Sequence, residues 1–132
     1  MAQINYLAVL ATAVVNILLG MLWYSPILFG NIWMKAIGKT KKELGGAGVG
    51  YVFTIITALI TAVVLALFIG YTQADTIFKG IQTGFWIWLG FVATTTLAGV
   101  LWEGQPLKVY LIYNGLQLVT FIVMGSILAV WR

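Results

Sequence analysis

The sequence predicts an all-α integral membrane protein, a four-helix bundle with a short interfacial helix between spans one and two. Only 8% of the 132 residues are charged, against about a quarter in a soluble domain, so there are too few charges to cover a water-facing surface. The apolar residues also fall into four runs of roughly 20 residues, the length that crosses about 30 Å of hydrocarbon as an α-helix. We therefore predict a single transmembrane domain over residues 1–132.

Each span follows from where its apolar run begins and ends. Span one is predicted over residues 4–24, and it ends where Pro26 lacks the backbone N–H that a further turn needs. Residues 27–38 are too few and too polar to cross, but their apolar side chains recur at helical spacing beside lysines, which indicates a helix lying in the headgroup layer. Spans two, three and four are predicted over residues 49–71, 77–102 and 107–131.

Capping residues indicate where two of these helices start. Thr40 and Glu43 have the spacing of a capping box, so a helix is expected to begin near Lys41 and to become embedded in lipid further on. Asp75 precedes span three and is predicted to be its N-cap.

Basic residues lie mainly on one side of the predicted bundle. The loop between spans three and four holds Lys108, and the loop between spans one and two holds Lys35, Lys39, Lys41 and Lys42. Because short lysine-rich loops resist translocation, this side is predicted to be cytoplasmic and both termini to lie outside the cell. The formal charge of +4 is then expected to favour anionic lipid headgroups as partners, and no nucleic acid is expected.

Span two carries small residues at every fourth position, and we call this series the small-residue ridge. Its members are Gly46, Gly50, Thr54, Ala58, Ala62, Ala66 and Gly70. A shorter series in span one consists of Ala8, Thr12, Asn16 and Gly20. Helices in lipid associate by close backbone approach, which small residues spaced by four permit. The two series are predicted to pack on each other within one chain, or one of them on a neighbouring subunit.

Polar side chains from all four spans fall at a similar depth, counted inward from the predicted cytoplasmic ends. This candidate polar layer consists of Asn16, Thr54, Thr57, Thr94, Thr95, Asn114 and Gln117, with Thr96 beside them. Unpaired carboxamides are costly in hydrocarbon, so we expect Asn16 to form a hydrogen bond with Asn114 across the bundle. The layer either fixes the register of the helices or forms a binding site or water-filled constriction for a small neutral solute.

The sequence lacks the usual catalytic and metal-binding side chains. It has no His and no Cys, and its only carboxylates, Glu43, Asp75 and Glu103, lie in loops or at helix ends. Proton-coupled carriers generally need a carboxylate within the membrane. A hydrolase needs a general base or a metal set, and no pair of carboxylates lies close in sequence. We therefore predict no catalytic residue, no metal site, no cofactor and no enzymatic activity.

Glu103 has two alternative roles. It ends span three beside Trp102 and lies near Lys108, so it is expected to form a surface salt bridge worth about 0 to 1 kcal/mol. If it instead faces a cavity open to the cytoplasm, it is the natural entry point for a cation.

One sequence block resembles a known family. Trp23-Tyr24-Ser25-Pro26, followed by Phe29-Gly30 and Trp33, and later by Trp102-Glu103, Asn114-Gly115 and Gly125, is similar to a family of small bacterial four-span membrane proteins catalogued only as a domain of unknown function. The resemblance covers essentially the whole chain and implies a compact helical bundle in the bacterial inner membrane, with no activity attached. Physically, Trp23 and Tyr24 are predicted to set the depth of span one, and Gly30 to leave room for the interfacial helix to turn under the bundle.

The functional prediction is a non-catalytic membrane scaffold or accessory subunit that self-associates. The alternative is a small-solute channel or facilitator that works as a homo-oligomer, because four helices alone enclose little space. A polar cavity that reaches Asn16 and Gln117 from one side would favour transport. A dry, tightly packed layer would favour the scaffold.

Overall fold

A computed structural model describes residues 4–38 and 48–131, and these are helical apart from short connections. The helices are α1 (Tyr6–Trp23), α2 (Gly30–Ile37), α3 (Gly48–Tyr71), α4 (Ile77–Trp88), α5 (Thr94–Glu103) and α6 (Leu107–Val130). A π-helical turn, Leu89–Ala93, joins α4 to α5 without a break. Four helices, α1, α3, the continuous segment Ile77–Glu103 and α6, are long and apolar enough to cross a membrane. The predicted fold class is therefore confirmed, including the short helix between the first two spans.

Polar side chains cap the first turns of α1 and α4. Asn5 accepts the backbone N–H groups of Leu7 and Ala8 at 3.1 and 3.2 Å, which fixes the start of α1. The predicted N-cap of span three is wrong, because Thr76 rather than Asp75 accepts the Lys79 amide, at 3.2 Å. Asp75 instead forms an exposed salt bridge with the Lys79 ammonium at 3.1 Å. The predicted capping box, Gly46 and the loop lysines 39, 41 and 42 lie outside the described residues.

The apolar core lies where α1, α3 and α6 meet, in the half of the bundle that contains the start of α1. Its buried side chains include Ala8, Val9 and Ala13 of α1, Ala62, Leu65 and Ile69 of α3, and Phe121, Met124 and Leu128 of α6. The opposite half is more open. No residue of α5 is buried, and residues 48–57 of α3 are all exposed.

The backbones of α4 and α6 approach each other closely at glycine residues. A Cβ atom on Gly84 would lie 2.9 Å from the carbonyl carbon of Phe121, and one on Gly125 would lie 2.5 Å from the carbonyl oxygen of Gly80. Ordinary contacts between carbon atoms are about 3.5–4.0 Å, so only hydrogen fits at these positions. This contact fixes α4 against α6 and therefore sets where the rest of span three lies.

The small-residue ridge packs within the chain along only part of its length. Ala58 and Ala62 are 3% and 0% exposed in the core with α1, and Ala66 and Gly70 are half-buried. Gly50 and Thr54 are exposed. In the shorter series of α1, Ala8 and Thr12 are buried, whereas Asn16 and Gly20 are half-buried.

Candidate functional site

Residues 23–33 form a tight corner at the end of α1. The Ser25 hydroxyl donates to the Leu22 carbonyl at 2.6 Å, and the chain then turns through Pro26. The Phe29 amide donates to the Trp23 carbonyl at 3.0 Å. A Cβ atom on Gly30 would lie 2.8 Å from the Ser25 carbonyl oxygen, so the first residue of α2 has to be glycine.

Aromatic side chains attach this corner to α6. The indole N–H of Trp23 donates to the Ile112 carbonyl at 2.8 Å, and its ring lies against Gly115, where a Cβ atom would be 3.1 Å away. The Tyr24 and Trp33 rings pack with centroids 4.8 Å apart. A buried indole N–H needs an acceptor, and α6 supplies one. The end of α1, α2 and the start of α6 therefore lie at the same end of the bundle.

The π turn in span three is surrounded by hydroxyl groups. In hydrocarbon every backbone carbonyl needs a partner, and a π turn disturbs the regular ladder of hydrogen bonds. Four consecutive carbonyls here accept side-chain hydroxyls, at 2.7–2.8 Å: Gly90 from Thr94, Phe91 from Thr95, Val92 from Thr96, and Ala93 from Tyr110 of α6.

The π turn also decides which side chain faces α6. Gly80 faces α6, and Thr96 follows it by sixteen residues. At about 100° per residue, Thr96 in a continuous α-helix would be rotated about 160° away from the Gly80 face. The extra residue in the π turn removes about 100° of this rotation, which leaves about 60°. Thr96 is thereby brought towards α6.

Asn114 is the centre of the resulting polar contacts. Its side chain is 4% exposed, and its Nδ2 donates to the Thr96 hydroxyl at 3.0 Å and to the Tyr110 carbonyl at 3.1 Å. Its backbone carbonyl accepts the indole N–H of Trp88 at 3.0 Å. Trp88 directly precedes the π turn, so α6 is tied to span three on both sides of it.

A cavity of about 380 Å³ lies beside Asn114, between α5 and α6. It is lined by Thr95, Thr96, Ala98, Gly99, Glu103, Gln105, Tyr110, Tyr113 and Asn114. Asn114 lies seven residues into α6, a depth of about 10 Å at 1.5 Å per residue. Glu103 is exposed at the other end of the cavity, where α5 terminates. The cavity thus extends from a helix end to a buried carboxamide.

The connection between α5 and α6 closes one wall of the cavity. Gly104 has φ 71°, a left-handed conformation that favours glycine, and this reverses the chain. The Gln105 amide then donates to the Gly99 carbonyl at 3.0 Å. The Gln105 side chain lies over Gly99, where a Cβ atom would be 2.7 Å from its Oε1. A larger residue at position 99 would displace this side chain.

The chain matches one family along most of its length. The family is described as a protein of unknown function, DUF1761, and it matches residues 7–129. The chain belongs to this family. The predicted membership of a family catalogued as a domain of unknown function is therefore confirmed. No curated protein and no solved structure matches the chain.

In this DUF1761 chain the candidate polar layer is not one connected set. The Thr94 and Thr95 hydroxyls bond to carbonyls of their own helix, and Thr54 and Thr57 do the same on the exposed part of α3. Asn16 and Gln117 are half-buried. Among the described residues the Asn114 side chain bonds to Thr96 and Tyr110, so the predicted hydrogen bond between Asn16 and Asn114 is not formed. The Asn114 carboxamide bonds to Thr96 instead, because the π turn rotates Thr96 towards it.

Sequence reasoning missed several residues that shape this DUF1761 site. Gly80 and Gly84 form a small-xxx-small pair that could have been read directly as a packing motif. Tyr110 and Asn114 are spaced by four on one helix, which indicates a shared polar face. No periodicity in the sequence marks the π turn itself, so the position of Thr96 could not be anticipated.

Among the residues that the structure describes, Glu103 is the only charged one that lines the cavity. Within residues 4–38 and 48–131 it forms no salt bridge, so the expected pairing with Lys108 is not observed. Over the same residues, no group of three or more His, Cys, Asp or Glu side chains could hold a metal ion. The site can therefore offer a carboxylate, two carboxamides and several hydroxyls to a ligand.

Proposed function

We propose that this protein is a non-catalytic integral membrane protein that binds a small polar solute in the cavity between α5 and α6. The observation that carries the proposal is the cavity itself, about 380 Å³ in volume and lined mainly by polar side chains, with the buried Asn114 among them. Its volume is within the range of small-molecule sites, roughly 300–1,000 Å³. The complete absence of His and Cys supports a non-catalytic role.

The cavity supports a binding site or half-channel better than a through-pore. Neither Asn16 nor Gln117 lines it, although a continuous channel was expected to reach both. Solute is proposed to enter from the end at which Glu103 lies. By the distribution of lysines this end is the cytoplasmic side of the cell membrane, with anionic headgroups contacting Lys35 of α2.

Cysteine labelling tests whether water and solute reach the cavity. The chain has no native cysteine, so a single introduced thiol gives the whole signal. Ala98→Cys places a thiol in the lining, and Leu111→Cys places one on an exposed apolar position of α6, 57% exposed. A thiol reacts as the thiolate, which requires water.

We expect a water-soluble cationic methanethiosulfonate reagent to modify Ala98→Cys in reconstituted vesicles, from one side only. Leu111→Cys should remain unmodified because it faces lipid. Millimolar ethylammonium or acetamide should slow the labelling of Ala98→Cys if the cavity binds solute. Equal, slow labelling of the two variants would show a dry cavity and refute the proposal.

A second proposal is the self-association expected from the sequence, for which the exposed end of α3 is the supporting observation. Gly50 and Thr54 belong to the small-residue ridge and are exposed, and among the described residues nothing lies within 4 Å of a Cβ atom on Gly50. A second copy could use this surface. Gly50→Cys is expected to form disulfide-linked dimers in the membrane, whereas Ile60→Cys, exposed but outside the ridge, is not. Equal cross-linking of both variants would refute it.

A further inference from the structure

The hydrogen-bond donors around Asn114 are already used within the protein, whereas the Gln105 side-chain amide and the Tyr113 hydroxyl, which also line the cavity, form no hydrogen bond among the described residues. The hydroxyls of Thr95 and Tyr110 donate to carbonyls of the π turn, at 2.8 and 2.7 Å. Both N–H groups of the Asn114 carboxamide are taken, one by Thr96 and one by the Tyr110 carbonyl. What these groups have left to offer a ligand is oxygen lone pairs.

The charge of the cavity lining also favours a ligand that donates hydrogen bonds. Over residues 4–38 and 48–131, Glu103 is the only charged residue of the lining, and it has no salt-bridge partner there. A second cavity, about 460 Å³, lies at the opposite end of span three and has the opposite character. It is lined by Lys79, whose ammonium is 3.1 Å from Asp75. The two cavities therefore differ in both sign of charge and availability of that charge.

We infer that the cavity between α5 and α6 selects primary ammonium ions of small organic molecules. The inference rests on the proposed function and adds the ligand class to it. A primary ammonium carries three N–H donors and no acceptor, which matches the Glu103 carboxylate and the unused oxygen lone pairs around Asn114. A hydrogen bond between an ammonium and the Glu103 carboxylate is charge-assisted and stronger than a bond between neutral groups.

A primary ammonium can reach this site from two sources. It can belong to a free amine in water, or to the headgroup of phosphatidylethanolamine, because the cavity ends where α5 meets the predicted membrane surface. Both sources present the same group to the same acceptors. The experiment therefore compares bilayers with and without that lipid.

The test uses the full chain in phosphatidylcholine nanodiscs and measures protection of Ala98→Cys from the methanethiosulfonate reagent. Ethylammonium is the charged probe and acetamide is a neutral probe of similar size. We expect ethylammonium to protect at a concentration at least about tenfold lower than acetamide. Glu103→Gln, which keeps the size of the side chain and removes its charge, should abolish this difference. Asp75→Asn makes the same change of net charge at the other end of span three and should leave it intact.

The outcomes separate the inference from the proposed function. Protection by acetamide at the same concentration as ethylammonium, or an unchanged preference in Glu103→Gln, overturns the inference and leaves the binding site standing. Protection by neither probe overturns both. If phosphatidylethanolamine in the nanodiscs slows labelling of the parent variant but not of Glu103→Gln, the lipid is the source. If labelling is equal and ethylammonium still protects through Glu103, the source is a free amine.

Discussion

The contact between α4 and α6 offers a sharp test of how this bundle is held together. Gly84→Ala adds one methyl group where the two backbones are closest. That methyl would lie 2.9 Å from the carbonyl carbon of Phe121, about 0.6–1.1 Å inside an ordinary carbon contact. The helices have to separate by a similar distance, and a gap of 0.5–1 Å removes a quarter to a half of the attraction between facing atoms.

The expected loss of stability follows from this separation of the helices. Overpacking by one carbon destabilises cores by about 1–3 kcal/mol, and we expect Gly84→Ala to fall in that range. Gly20→Ala in α1 is the matched control, since nothing lies within 4 Å of a Cβ atom there. Replacing glycine by alanine in an open helical position gains about 0.5–1 kcal/mol, so this control should be as stable as the parent or more stable.

The free energies of unfolding can be compared by titrating mixed micelles with sodium dodecyl sulfate and following tryptophan fluorescence. The separation should also move Trp88, one turn beyond Gly84, away from the Asn114 carbonyl. Refutation would be a Gly84→Ala variant as stable as Gly20→Ala. It would mean that the two helices can move apart at no cost and that this contact does not position span three.

Three further outcomes are expected from single sites. Asn114→Ala should lower the free energy of unfolding by about 1–2 kcal/mol in the same titration. The reason is that hydrogen bonds between helices in a membrane contribute about 0.6 to 1.7 kcal/mol each. An unchanged free energy of unfolding would contradict the role of this carboxamide. Thr120→Val should leave stability unchanged or raise it, because the Thr120 hydroxyl is buried and has no hydrogen-bond partner in the part of the chain that the structure describes. A loss above about 1 kcal/mol would contradict this. Burial, and to a smaller degree the nearby Tyr113, raises the pKa of Tyr24 to about 12. The unfolded chain then loses this proton first, so stability should fall as the pH rises from 10 towards 12, and Tyr24→Phe should remove that component.

The sequence predicts the fold well because lipid leaves few alternatives. Four apolar runs of sufficient length have to be helices, since only a helix satisfies its own backbone within one segment. The corner after α1 could also be predicted from the sequence, because Pro26 ends a helix and Gly30 permits a close turn. These inferences depend on single residues and local physics, which a sequence contains directly.

The candidate site could be predicted from the sequence only in part, because it depends on how the helices are rotated about their axes. Asn114 was identified as a carboxamide that needed partners, but its partners depend on where Thr96 points. That direction is set by one extra residue in the π turn, and an error of one residue rotates a side chain by about 100°. Glu103 was given two alternative roles, a surface salt bridge or a place at the mouth of a cavity, yet the cavity itself arises from the open packing of α5, which no local pattern encodes.

The three consecutive threonines after the π turn make the span tolerant of a change in winding. If the extra residue were released and span three became a regular α-helix, Thr95 would occupy the angular position that Thr96 holds now. Asn114 would then meet a chemically identical hydroxyl. Most of the distortion in span three could therefore relax without leaving the buried carboxamide unsatisfied.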